Sequence, residues 1–150
     1  MNYIQIGSGA LLIAVLAACS TPAEQRESLR TKTISEGWER VPTNEVQALF
    51  SDATLSGATD KTQWSTYQSP DQTARGIAKG SWGEETDSGT YKITADGTWC
   101  RTWTKWGNGQ EGCAEVYRKE GRLKMVVVSG KIGELPSFEA DIEPGNPLAL

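Results

Sequence analysis

Apolar and polar side chains alternate with a period of two along most of this chain. From about Ala53 onward the alternating runs are short and are separated by residues that favour tight turns. Ala95-Asp96-Gly97 separates YKIT from TWCRTWT. Gly107-Asn108-Gly109 separates that run from CAEVYRK, and Glu120-Gly121 separates CAEVYRK from LKMVVVSG. Asn-Gly and Asp-Gly supply the positive φ angles that tight hairpins need. Strands joined this closely form an antiparallel meander. Two earlier runs, Thr62–Gln68 and residues 74–82, extend it around Ser69-Pro70-Asp71-Gln72. The pattern predicts a mainly β domain of roughly six to eight strands, closing into a small barrel or a strongly curved sheet. A two-sheet sandwich is the rival.

Only one stretch has a helical period. Val46, Leu49 and Phe50 recur at i, i+3 and i+4, after Pro42 and with Glu45 near the start. Thr43 or Asn44 is the expected N-cap, and Glu45 suits the positive end of the helix dipole. This is the one short N-terminal helix of the fold, expected to lie against the sheet or close one barrel end. Residues 20–36 are polar, with Leu29 and Ile34 their only large apolar side chains, and read as a poorly ordered tether. Residues 143–150, with two prolines and a glycine, read as a loose tail.

The N-terminus carries a different signal. Residues 9–18 are an apolar run of about ten residues, half of what a bilayer span needs and the right length for the h-region of a signal peptide. The run ends Leu16-Ala17-Ala18-Cys19-Ser20. Small residues fit a peptidase groove, and Cys19 supplies a thiol for acylation. The segment resembles the bacterial lipobox. The resemblance implies cleavage before Cys19, lipidation of Cys19 and attachment to a bilayer in the cell envelope. Ser20, standing where an inner-membrane lipoprotein would carry Asp, implies by analogy the periplasmic face of the outer membrane. The expected organisation is a signal peptide (1–18), a lipidated N-terminus and flexible tether (19–36), a single β domain (37–142) and the tail (143–150).

Composition narrows the function classes. The net charge is -4 with mixed signs, which leaves no basic footprint for nucleic acid. There is no histidine, so imidazole catalysis is excluded and the commonest metal ligand is missing. No cofactor or metal is expected. Gly107–Gly112 matches G-x-G-x-x-G, but it lies between two strands rather than between a strand and a helix, so a hairpin loop explains it and a dinucleotide does not. Glu84, Glu85, Asp87, Glu111 and Glu115 supply carboxylates that a glycan-cleaving enzyme could pair. Solvated acidic loops are the commoner origin of such residues.

Three cysteines divide into Cys19 and a remaining pair, Cys100 and Cys113, on neighbouring strands of one predicted hairpin. In an oxidising envelope they are expected to form a disulfide, contributing about 3 kcal/mol in the chain-entropy model. That pairing fixes a register. Trp99 falls opposite Ala114, and Trp99, Arg101, Trp103, Val116, Met125 and Val127 share one face. The apolar company makes this the inner face, so Arg101 points inward between two tryptophans. An internal carboxylate or cation–π stacking would make Arg101 structural. An open barrel mouth would make Trp99, Arg101 and Trp103 a ligand site for the anionic end of an amphiphile.

Asp96-Gly97, Cys100-x-x-Trp103, Cys113 and Tyr117-Arg118 form a spaced set, together with Leu55-Ser56-Gly57 and Tyr67…Ser69-Pro70-Asp71. The set resembles a family of small exported bacterial proteins of unknown function, from Trp38 to about Gly130. Gln72 stands where that pattern has glycine. The resemblance implies a lipocalin-like β architecture and no assigned activity. The expected function is a non-catalytic binding or interaction module, partnered by the bilayer and by a small amphiphilic ligand or an envelope protein. The alternative is an envelope enzyme acting on cell-wall or glycan substrates through paired carboxylates.

Overall fold

A computed structural model describes residues 21–150 with the exception of residue 134. The apolar run and Cys19 lie outside the described residues. The elements, in order, are α1 (Pro22–Ser35), β1 (Glu39–Arg40), α2 (Thr43–Phe50), β2 (Ala53–Ala58), β3 (Thr62–Gln68), β4 (Thr73–Gly80), β5 (Gly83–Ile93), β6 (Trp99–Trp103), β7 (Gly112–Lys119), β8 (Arg122–Ser129) and β9 (Ser137–Pro144). A 3-10 turn, Trp106–Gly109, sits between β6 and β7. Each of β2 to β9 pairs antiparallel with the next, and β9 returns to β2 through Leu55↔Ile142. The result is a closed eight-stranded up-and-down barrel, so the meander predicted from the sequence is the one observed. Closure removes the exposed edges that an open sheet of this length would carry.

Alternation decides what fills the barrel. Trp99, Arg101 and Trp103 face inward on β6, opposite Ile93, Tyr91 and Gly89 of β5. Ala114, Val116, Leu123, Met125, Leu55, Ala74 and Ala140 join them, all buried. Helix α2 closes one end. Val46 and Phe50 have no exposed surface, and the Phe50 ring stacks on Trp99 with centroids 5.2 Å apart. The helix starts one residue earlier than its polar side chains suggest. Pro42 is the N-cap, without a side-chain bond, and the Thr43 hydroxyl donates instead to the Asp96 carbonyl at 3.2 Å. Gly97, at φ +78°, makes that contact possible, because a Cβ there would lie 2.9 Å from the Thr43 Cα.

Three boundaries differ from the sequence reading. Residue 82 lies in the two-residue turn between β4 and β5, since Gly80 pairs with Gly83. The tail begins later and is tied down. β9 runs to Pro144, and Leu150 and Asn146 bond each other through Leu150 N–H to Asn146 Oδ1 at 2.9 Å and Asn146 Nδ2 to the Leu150 carbonyl at 2.8 Å. The largest difference is the expected tether. Residues 22–35 form a helix opened by a capping box, in which Thr21 and Glu24 bond each other's backbone N–H groups, with Pro22 in the first turn.

α1 lies along the outside of β7 and β8. Its contact is mainly polar. Leu29 touches the Trp38, Tyr117 and Val126 cluster, while Arg30 grips Glu115 with two bonds of 2.8 Å. Arg40 adds a third contact to Glu115 at 2.8 Å, and the Tyr117 hydroxyl donates to the same carboxylate at 3.1 Å. Burial pushes the Glu115 carboxyl up. The Arg30 hydrogen bonds, the Arg40 and Arg30 charges and the Tyr117 hydroxyl outweigh it and hold the group below its ordinary range. Farther along, β8 carries an extra residue between the pairs Cys113↔Ser129 and Ala114↔Val127. That bulge leaves the Val128 carbonyl off the ladder, and the Arg26 guanidinium donates to it.

Candidate functional site

The two ends of the barrel are unlike. The α2 end carries the turns after β3, β5 and β7. The other end carries the loops 59–61, 81–82, 104–111 and 130–136. Inward-facing residues near α2 are buried, among them Ala53, Leu55, Gln68, Ala74, Tyr91, Leu123 and Met125. Inward-facing residues nearer the loops keep some accessible surface: Gly57, Trp64, Ala78, Arg101, Val127 and Phe138. The inner face is thus sealed near α2 and partly accessible nearer the loops, where Trp103 and Asp87 stay buried.

Arg101 sits where the two zones meet. Its guanidinium carbon is 5.0 Å from the Trp99 ring centroid and 5.5 Å from that of Trp103. The sequence placed these three side chains on one inner face, and the structure brings them into contact. The cation–π arrangement expected of a structural Arg101 is present on both rings. The internal carboxylate is not, since no carboxylate among the described residues lies within ion-pairing distance of Arg101. Burial pulls its pKa down to about 10, and no neighbouring anion pulls it back up. Protein atoms surround the guanidinium, and Arg101 as a whole keeps some accessible surface.

The donors nearby are also unmatched. The indole N–H groups of Trp99 and Trp103 are buried and have no acceptor among the described residues. The Gln68 carboxamide donates through Nε2 to Thr66 Oγ1 at 3.2 Å, and its Oε1 receives nothing. A buried polar group without a partner costs about 1–3 kcal/mol. Two orphaned indole donors and a guanidinium with no ion pair among the described residues outnumber one orphaned acceptor, Gln68 Oε1, so the surroundings of Arg101 favour an acceptor or an anion.

Two elements hold this arrangement. Asp87 faces inward and is buried. Its Oδ2 accepts the backbone N–H groups of Lys105 and Trp106, each at 2.8 Å, and its Oδ1 accepts Ser88 N–H at 2.8 Å. Burial raises its pKa, but these three donors keep the carboxyl ionised and lower than usual. Asp87 thereby sets the start of the loop that swings Trp106 across the barrel end, edge-on to Trp103 at 4.9 Å. Gly76 makes room, because a Cβ there would lie 2.6 Å from the Trp106 ring and 3.0 Å from Trp103. Asp87 and Trp106 were not singled out as site residues from the sequence. Asp87 was visible only as one acid among several, and nothing in the local pattern marks it as a loop anchor. Behind β6, Cys100 and Cys113 are bonded at 2.10 Å, as their spacing predicts, and fix the β6–β7 register.

Of the carboxylates considered for glycan chemistry, Glu85 is exposed on β5, Asp87 anchors the loop just described, and three are ion-paired. Glu84 pairs with Lys79 at 2.8 Å, Glu111 with Lys92 at 2.6 Å, and Glu115 with the two arginines on the outer wall. Cys100, Glu111 and Cys113 lie close enough to resemble a metal cluster, but the disulfide removes both thiolates. One depression, of about 970 Å³, is an open groove between β2–β4 and β8–β9, lined by Ser56, Ser65, Ile77, Lys124 and Leu148 and also by Trp64 and Phe138. It collects both signs of charge and no unpartnered buried group, so the barrel interior is the better candidate. Compared with protein-family models, curated proteins and solved structures, the chain matches none.

Proposed function

We propose that this chain is a lipid-anchored protein of the bacterial envelope whose barrel is a non-catalytic binding module for the anionic end of a small amphiphile. The observation that carries the binding part is Arg101: an inward guanidinium clasped by Trp99 and Trp103, with no carboxylate among the described residues to neutralise it. A carboxylate or similar anion would accept from the guanidinium fork in bidentate fashion. The orphaned indole N–H groups of Trp99 and Trp103 supply further donors. An apolar body would lie along Val127, which faces inward and keeps accessible surface, and beside Trp64 and Phe138, which also line the groove between β2–β4 and β8–β9. Eight strands enclose just enough room for side chains or one small ligand. The anchoring part rests on Leu16-Ala17-Ala18-Cys19. Acyl chains contribute about 0.8 kcal/mol per buried CH₂, and two of them hold a protein on a bilayer.

Each part has its own experiment. Fatty acids titrated into the protein are expected to change the tryptophan fluorescence of the wild type. Arg101→Met should abolish that response while keeping the fold, since an apolar residue replaces an unpaired charge. A silent wild type, or a variant that responds equally, would remove the binding proposal. Cys19→Ala is expected to release the protein from membranes and to lose labelled palmitate. Retention of both would remove the anchor.

A further inference from the structure

We infer that the loop end of the barrel is a membrane-contacting surface, so that the anchored protein stands with its barrel mouth against the bilayer. The inference rests on the lipid-anchor reading of Cys19 and adds an orientation to it.

Three placements converge. The first is the direction of α1. Arg26 bonds the carbonyl of Val128, at the loop end of β8. At the other extreme of the helix, Glu36 receives Lys119 Nζ on its carbonyl at 2.7 Å and Lys124 Nζ on its carboxylate at 2.8 Å, close to the turn between β7 and β8. The helix therefore runs with its N-terminus toward the loops. Pro22 lies four residues before Arg26, about 6 Å farther in that direction. Cys19 precedes Thr21 by two residues, a reach of at most about 7 Å. An acyl group on Cys19 is held by a helix fixed to the wall, and its attachment point is at the loop end.

The second is what the loops expose. Trp82, at the tip of the β4–β5 turn, is 55% exposed, and Leu135, between β8 and β9, is 48% exposed. Trp82 is not loose in solvent. Its ring lies over Gly80, where a Cβ would come within 2.3 Å of it, so the glycine keeps the indole in place at the tip. Tryptophan favours the headgroup level of a bilayer, where its ring is half in apolar surroundings and its N–H is wet.

The third is charge. Lys61, Lys105 and Lys131 are exposed at this end, with Asp60, Glu84 and Glu85 among them. The balance is close to neutral, so the surface suits a bilayer through its aromatic and aliphatic tips rather than as a polybasic patch. A mouth held at the headgroup level would let an amphiphile pass between lipid and barrel without its chain crossing water.

The test uses the full lipidated chain in vesicles of phosphatidylethanolamine and phosphatidylglycerol. Trp82→Cys and, in a second protein, Leu135→Cys carry an environment-sensitive fluorophore. Glu120→Cys, at the turn between β7 and β8, is the control. β7 spans roughly 26 Å, which puts that control beyond the reach of the headgroups. Headgroup spin labels are expected to quench the probes at 82 and 135 several-fold more than the probe at 120, with a blue shift at 82 and 135. Equal quenching at all three positions, or stronger quenching at 120, would overturn the orientation while leaving the anchor intact. Failure of the unsubstituted protein to sediment with the vesicles would overturn the anchor reading and this inference together.

Discussion

At the α2 end of the barrel, Val46, Phe50, Leu55 and Met125 are apolar and sealed, and each has an apolar neighbour. From the boundary toward the loop end, Arg101, Trp103 and Asp87 put a cation, an orphaned N–H and a carboxylate into the same barrel, and Trp64, Val127 and Phe138 keep accessible surface. Burial of apolar area stabilises a domain whatever else it does. An unneutralised guanidinium and unmatched donors weaken it unless something binds them. On the function proposed above, packing near α2 serves stability and Arg101 with its tryptophans serves recognition, and the orphaned Trp99 N–H and Gln68 Oε1 lie toward the closed end. The contrast gives a criterion: substitutions near α2 should move the melting temperature and spare the Arg101 response, and those near the loops should do the reverse.

The largest expected effect is at Phe50. It is fully buried and stacked on Trp99, so Phe50→Ala leaves a cavity under α2 and should destabilise the protein by about 3–5 kcal/mol. Chemical denaturation would measure it. If the protein remains folded, the fluorescence response to fatty acid through Arg101 should persist. Loss of that response in a folded variant would mean the two ends are coupled, and the division proposed above would fail.

What could be read from the sequence followed from how local each signal is. The meander was legible because its turns are marked by Asp96-Gly97, Asn108-Gly109 and Glu120-Gly121, each next to a strand of alternating pattern. The face shared by Trp99, Arg101 and Trp103 was legible because one disulfide fixes the register and alternation does the rest. α1 was not read as a helix because it has almost no apolar stripe. Its hold on the barrel comes from Arg26, Arg30 and Glu36, whose partners are about 85 to 100 residues away in sequence. Its start was written locally, in Thr21-Pro22-Ala23-Glu24, and the polar composition obscured it. β9 was missed for a similar reason. Its run is short and acidic, and it becomes a strand by closing the barrel between β2 and β8.

The Glu115 cluster lies on the outer wall and tests whether the two ends are joined from outside. Glu115 is largely buried under Arg30, Arg40 and Tyr117. Its folded pKa is depressed below the ordinary 4.5. The stabilisation it gives is therefore complete above that value and is lost as pH falls through the folded value. Acid titration of the wild type should show α1 losing protection from hydrogen exchange in that window. Glu115→Gln should remove the pH dependence of α1 and lower stability by about 2 kcal/mol, since the variant leaves charged donors without an ionised acceptor. Unchanged exchange in α1 would mean that Leu29 and the Arg26 bond to Val128 hold the helix by themselves.

The smallest expected effect has the opposite sign and sits at the closed end. Gln72 adopts φ +67°, in the left-handed region that costs a side chain about 1–2 kcal/mol relative to glycine. The turn from β3 to β4 requires this shape. Gln72 N–H donates to the Ser69 carbonyl at 3.0 Å, and the Gln72 carbonyl accepts Tyr91 N–H at 2.9 Å, which ties the turn to β5. A backbone angle of this kind is one that glycine adopts without a side-chain clash. Glycine would relieve the steric cost but would give the unfolded chain more freedom, so the two terms oppose each other. The balance should leave Gln72→Gly more stable by about 0.5–1 kcal/mol. Because the side chain is exposed on the outside of the turn, fatty-acid binding should not change. A destabilised variant would mean that the Gln72 side chain contributes something at the turn beyond its backbone bonds, and the closed end would then hold more than packing.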